Sequence, residues 1–282
     1  MKKILLFAIV SFLWAVSAHA AEPLYLDKAY IKQDTTWGGT VYLKGQNVVK
    51  RGTTLTILPG TVVKFLWSDE DGDNIGDGEL TVEGDLIAKG TKDKPILFTS
   101  GQEHPKPKDW TFVQLSVSKK SDVEYCIFEY AFSGLQVHYS TASVKNCVFR
   151  NNFEGMRFST TDVMIERNDF LNNAFGIRYE SHGSRTTVAY NRFKGNGQAF
   201  FPVQKSDPIV KIHDNNIEGC KEYAVKLGVN QKEDLDYTDN WWGTADAARI
   251  DAGIYDHSKD DTLGQVKYVP FLKEPVKDCG VQ

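Results

Sequence analysis

Val123-Glu124-Tyr125-Cys126-Ile127-Phe128 is the first of six copies of one short phrase. Val144-Lys145-Asn146-Cys147-Val148-Phe149, Ile165-Glu166-Arg167-Asn168-Asp169-Phe170 and Val188-Ala189-Tyr190-Asn191-Arg192-Phe193 follow it. Ile212-His213-Asp214-Asn215-Asn216-Ile217 and, more loosely, Tyr237-Thr238-Asp239-Asn240-Trp241-Trp242 complete the set. From Cys126 to Asn240 the steps are 21, 21, 23, 24 and 25 residues. A recurrence in the range of about 20 to 50 residues marks a stacked architecture, in which each unit buries its apolar face against its neighbours.

The copies align beyond the phrase itself. Phe128-Glu-Tyr-Ala131-Phe-Ser-Gly134-Leu135 matches Phe149-Arg-Asn-Asn152-Phe-Glu-Gly155-Met156 and Phe170-Leu-Asn-Asn173-Ala-Phe-Gly176-Ile177. Each copy thus supplies three short strands joined by turns, and stacked copies would sit about 4.8 Å apart. Equivalent side chains then lie above one another. Asn152, Asn173 and Asn196 are expected to form one ladder, and Asn168, Asn191, Asn215 and Asn240 a second, because an amide both donates and accepts. Phe128, Phe149, Phe170 and Phe193 are expected to stack inside, with Gly134, Gly155 and Gly176 at sharp turns.

Upstream, Leu55, Ile57, Val63 and Phe65 alternate on either side of Pro59-Gly60, as paired strands do. Leu80-Thr-Val82, Leu86-Ile-Ala88 and Pro95-Ile-Leu-Phe98 continue the same habit, and no segment past residue 20 is apolar at helical spacing over three turns. Met1-Lys2-Lys3, the apolar run to Val16 and Ala18-His19-Ala20 have the three parts of a secretory leader, read as residues 1–20. Without it, 262 residues carry 31 basic and 37 acidic side chains, a net charge of −6. That balance argues against general nucleic-acid binding, and no later apolar run is long enough to span a membrane.

Trp37-Gly-Gly, Gly52-Thr-Thr-Leu-Thr-Ile-Leu-Pro-Gly-Thr-Val-Val-Lys-Phe65, Gly84-Asp-Leu-Ile-Ala-Lys-Gly-Thr91 and Asn240-Trp-Trp-Gly-Thr244 resemble the opening and closing phrases of exported right-handed parallel β-helix repeat proteins. The resemblance implies an all-β, single-stranded solenoid of the pectin-lyase-like superfamily. About eight coils are expected over 21–273, with a tail at 274–282. It leaves activity open, since that fold carries pectate lyases, polygalacturonases, copper-site accessory proteins and many binding or surface proteins.

Two places fall outside the stacking pattern. Asp69, Asp71, Asp73 and Asp77, with Glu79 nearby, lie in a glycine-containing insertion. Such a loop suits Ca²⁺, which takes about six to eight oxygens. The EF-hand pattern fails, because its twelfth position is Leu80. The loop is either a structural calcium site or a solvated insertion. The second place is a column. If the residue after each repeat glycine points inward, the next points out, which aligns Gln136, Arg157, Arg178 and Lys226, with Phe201 between the last two. His138, Ser159 and Glu180 form the neighbouring outward column. A basic stripe with an aromatic face on an acidic protein suits carboxylated or sulfated sugars; otherwise it is ordinary surface charge, neutralised by Glu154 and Glu180.

The Asn-Thr-Asp phrase of polygalacturonases does not occur, and Asp260-Asp261 lies past the coils. Arg178, Glu180 and Arg185 are the nearest to a catalytic cluster. A copper site would need Met, His and Cys together, but Met156 falls on an inward position and His138, His182, His213 and His257 share no column. Cys126 and Cys147 occupy one column, as stacked thiols or a disulfide, and a Cys220–Cys279 bond could tie down the tail. Trp241-Trp242 is expected to cover the end of the stack.

The function expected is thus an exported, non-catalytic protein of the periplasm, outer surface or medium. Acidic polysaccharide is the ligand class, bound at Arg157, Arg178, Phe201 and Lys226. A polysaccharide lyase or hydrolase and a scaffold in a surface assembly are the alternatives.

Overall fold

The computed structural model describes residues 22–181, 185–207 and 209–282; the leader read at 1–20 lies outside them. The period-two pattern becomes strands: Thr54–Ile57, Val62–Leu66, Glu79–Val82 and Asp85–Lys89 each bury alternate residues. Each circuit of the chain adds one strand to a nine-stranded, then a ten-stranded, then an eight-stranded sheet, against the eight or so coils expected. Neighbouring strands within these sheets run parallel. A parallel β-helix results. The sole helix of the described residues is Ala247–Ala252, past the repeats.

The core follows from the repeat. Phe98, Phe128, Phe149, Phe170 and Phe193 are fully buried and stack with ring centroids 4.6, 5.0, 4.9 and 4.7 Å apart. That separation is the strand spacing, so one ring per rung packs without gaps. Both asparagine ladders form. Asn168 donates from its backbone N and Nδ2 to Asn191 Oδ1 at 2.9 and 3.0 Å, and Asn191 does the same to Asn215 at 3.0 and 3.0 Å. Asn152, Asn173 and Asn196 repeat the arrangement.

These ladders sit beside the sharp bends. Arg167, Tyr190, Asp214 and Asp239, each just before a ladder residue, have φ between 53 and 58°, and Tyr125 and Asn146, before the stacked Cys126 and Cys147, have φ of 48 and 52°. A non-glycine residue pays about 1–2 kcal/mol for that conformation. The amide that follows offsets the cost by bonding carbonyls left free at the corner, as Asn191 Nδ2 does to Ile165 O and Ala189 O. The repeat glycines do something else, contrary to the sequence expectation. Gly134, Gly155 and Gly176 lie inside strands without positive φ, and a Cβ on each would stand 2.6–2.7 Å from the carbonyl oxygen of the next rung. Close backbone approach excludes a side chain there. At Gly134 the ladder also skips a residue, Phe112 facing Ser133 and Val113 facing Leu135, which bends the strand.

All four cysteines are free thiols. Cys126 and Cys147 are buried as stacked thiols, each donating to a backbone carbonyl. The expected Cys220–Cys279 bond is absent. Cys279 meets Asp214 O, before the strand Asn216–Glu218, whereas Cys220 lies past that strand's end. An amide clamp holds the tail instead: Asn216 Nδ2 donates to Val276 O and Val276 N to Asn216 Oδ1, both at 2.9 Å. Of the tryptophan pair, Trp242 is buried against Tyr237 and Tyr268, while Trp241 stays half-exposed and reaches Glu218.

Candidate functional site

The outer face of the ten-stranded sheet carries the predicted column. Gln114, Gln136, Arg157, Arg178 and Phe201 are in register on five successive rungs. The pairs Phe200↔Val225 and Lys226↔Tyr255 extend the line to Lys226 and Tyr255. Arg178 and Lys226 do come together: with Phe175, Phe201, Gln198 and Tyr255 they line a cavity of ≈ 470 Å³. Arg178 lies over the Phe201 ring at 5.8 Å and Lys226 over Tyr255 at 5.5 Å. Arg157 stands one rung before this cavity, half-buried on the open face.

The charge pattern differs from a plain basic stripe. Arg178 Nη1 donates to Glu154 Oε1 at 2.6 Å, and Glu154 is fully buried while Arg178 is 25% exposed. Glu154 Oε2, Arg178 Nε and Gln198 Oε1 have no hydrogen-bond partner although each atom is buried. Buried polar atoms are normally paired, so these three are exceptions to that rule on one face. Glu180 accepts from Gln204 Nε2 at 3.3 Å and Arg185 pairs with Asp162 at 3.3 Å. Arg178, Glu180 and Arg185 therefore do not assemble into one set.

An aromatic band that the single column did not reveal runs beside it. Phe132 and Phe153 stack at 5.2 Å, Phe153 meets Phe175 edge-on at 5.3 Å, and Phe175 lies 5.3 Å from Phe201. Lys108 sits over Phe153 at 4.3 Å. Phe132 and Phe153 share a repeat position and were visible as such. Phe175 was not, because it moves one place along, onto the position of Glu154. Tyr255 lies beyond the repeat altogether.

In the acidic loop, carboxylate oxygens of Asp69, Asp71 and Asp73 come within 4.8 Å of one another. Asp77 does not join them; its Oδ2 accepts from Glu70 N at 2.9 Å. The cluster also shapes the loop, since Asp69 accepts from Gly72 N and Asn74 N and Asp73 from Ile75 N. The loop leads into the ten-stranded sheet and is tied to the next rung by Gly76 N donating to Lys108 O at 2.9 Å. A second cavity of ≈ 730 Å³, lined by Asp71, Asp73, Asp77, Glu79 and Phe132, opens there. Phe132 belongs to both regions. The acidic loop and the basic column are thus two ends of one face.

His138, Ser159 and Glu180 form the neighbouring outward column, as expected. His138 Nδ1 and Ser159 Oγ are 2.6 Å apart, and His138 Nε2 is 3.0 Å from Gln136 Oε1. Burial, and secondarily the Arg157 charge, push the His138 pKa down to about 4.

The family model described as "Right handed beta helix region" matches residues 111–257, more than half of the chain. A model described as "Pectate-lyase like beta helix domain" matches residues 29–121. No curated protein and no solved structure matches the chain.

Proposed function

The chain belongs to the right-handed β-helix family, and from that premise we propose that it is an exported protein whose ten-stranded face binds acidic polysaccharide. The observation that carries this is the cavity where Arg178 and Lys226 stand over the rings of Phe201 and Tyr255 beside Gln198, whose buried Oε1 has no partner. Sugar rings present C–H faces that pack on aromatic rings, and guanidinium and ammonium groups receive carboxylates or sulfates. A polymer lying along the sheet would cross Arg157 and enter the cavity at Arg178. Lyase or hydrolase chemistry is not favoured by the acids of this face. Glu154, Glu180 and Glu222 are each engaged, with Arg178, Gln204 and Gln198 respectively. Binding of polygalacturonate, measured by calorimetry against a neutral glucan, tests the proposal. Heat released by the acidic polymer alone supports it, and equal silence from both removes it.

Calcium in the acidic loop would have a structural role, since Asp69, Asp71 and Asp73 repel one another without a cation. A ligand held only by the folded state at about a hundred times its Kd adds about 2.7 kcal/mol. Millimolar calcium is therefore expected to raise the thermal midpoint by several degrees, a chelator to reverse it, and Asp71→Asn to abolish it. An unchanged midpoint would take calcium out of the loop. Retention in the periplasm or display at the surface both follow from the leader, and fractionation of the producing cell distinguishes them.

A further inference from the structure

The contact between His138 and Ser159 has the geometry of an activated nucleophile. Ser159 Oγ is 2.6 Å from His138 Nδ1, and the opposite ring nitrogen is 3.0 Å from Gln136 Oε1. An amide oxygen only accepts, so Nε2 carries the imidazole proton and Nδ1 offers its lone pair to the Ser159 hydroxyl. Nucleophile, base and orienting group therefore stand in sequence, as hydroxyl-based acyl transfer requires. Gln136 is buried and fixed, while His138 and Ser159 are partly open to solvent on the outer face. The charged groups facing the pair are Arg157, two residues before Ser159 on its strand, and Glu180 on the next rung. Arg157 has no acidic partner among the described residues, and its charge reaches His138.

We propose that Ser159 and His138 hydrolyse small O-acyl esters, with Gln136 positioning the imidazole and Arg157 stabilising the oxyanion. That the ester is carried by an acidic glycan rests on the reading above; the acyl chemistry does not. Ser159 Oγ bonds to the acyl carbon while its proton passes to His138 Nδ1. The bond from that carbon to the sugar oxygen breaks, and the leaving oxygen takes the proton. Water then attacks the acyl-serine with His138 again as base, releasing a carboxylic acid and restoring the hydroxyl. Ser159 stands on the open sheet, outside the aromatic cavity, so the site suits a small acyl group such as acetyl rather than a long chain. Because His138 stays unprotonated down to about pH 4, the activity should be level through neutrality and fall only in strong acid. A base of that strength is weaker than free imidazole, so turnover should be modest.

The test uses the exported chain with p-nitrophenyl acetate and a fluorophosphonate probe. Expected are probe attachment at Ser159, located by peptide mass spectrometry, and hydrolysis that falls about 100-fold or more in Ser159→Ala and His138→Gln. Ser159→Cys should exchange fluorophosphonate labelling for rapid alkylation by iodoacetamide, which guards against a variant that merely misfolds. Gln136→Met, which leaves Ser159 in place, removes the acceptor that favours the imidazolium and should move the acid limb of the pH profile downward. Hydrolysis unchanged in Ser159→Ala, or no probe at Ser159, overturns the assignment and leaves a plain cross-strand hydrogen bond. Neither readout involves glycan, so either outcome is separate from the polygalacturonate result.

Discussion

Asn191→Ala should lower the stability of the chain by about 3–5 kcal/mol, read from the urea midpoint. Asn191 is fully buried, and its amide does three jobs. Its Oδ1 accepts from Asn168 N and Nδ2, and its Nδ2 bonds Ile165 O, Ala189 O and Asn215 Oδ1. Alanine would orphan donors and acceptors on three rungs where water cannot replace the bonds, at about 1–3 kcal/mol for each group left unpaired. In a solenoid the damage should be local. Hydrogen exchange should rise on the rungs around Val188 and Ile165 before it rises near Leu55. A loss under about 1 kcal/mol would mean that the ladder accompanies the bends without holding them.

Arg178→Ala should cost about 3 kcal/mol or more and remove glycan binding together, because it leaves the fully buried Glu154 carboxylate without its counter-ion. Adding Glu154→Gln should recover most of the stability, since a neutral amide no longer needs the guanidinium. Binding should stay lost. That split separates the two roles of Arg178, structural toward Glu154 and recognitive toward the cavity. If the single variant is as stable as the parent, water reaches Glu154 and the pair is a surface contact. If the double variant regains binding, Arg178 does not touch the ligand.

The repeat made much of this legible before the fold was seen. One Asn and one Phe per 21 to 25 residues forced the ladders and the ring stack, because parallel rungs place equivalent side chains directly over each other. The column Arg157, Arg178, Phe201, Lys226 could be counted out for the same reason. Three things could not be counted. The repeat glycines serve close packing between rungs rather than a turn, a distinction that needs coordinates of the next rung. Glu154 was already weighed as an acid neutralising the stripe, but its diagonal reach to Arg178, back one rung and across the column, follows from no alignment. Tyr255 and the acidic loop lie outside the period, and only the path of the chain brings them to the face that Phe132 and Phe175 also share.

The claim that this face recognises acidic glycan is tested most directly by titrating polygalacturonate into the parent chain and into Arg157→Ala/Lys226→Ala, at low and high salt. Neither residue is paired with a buried acid among the described residues, so the double variant should keep its melting temperature. The parent should bind, more weakly at high salt. The variant should bind at least about 10-fold more weakly, the loss of roughly 1.4 kcal/mol of charge-assisted contact. Equal affinity of parent and variant, or affinity for neutral glucan that matches that for polygalacturonate, would place recognition elsewhere.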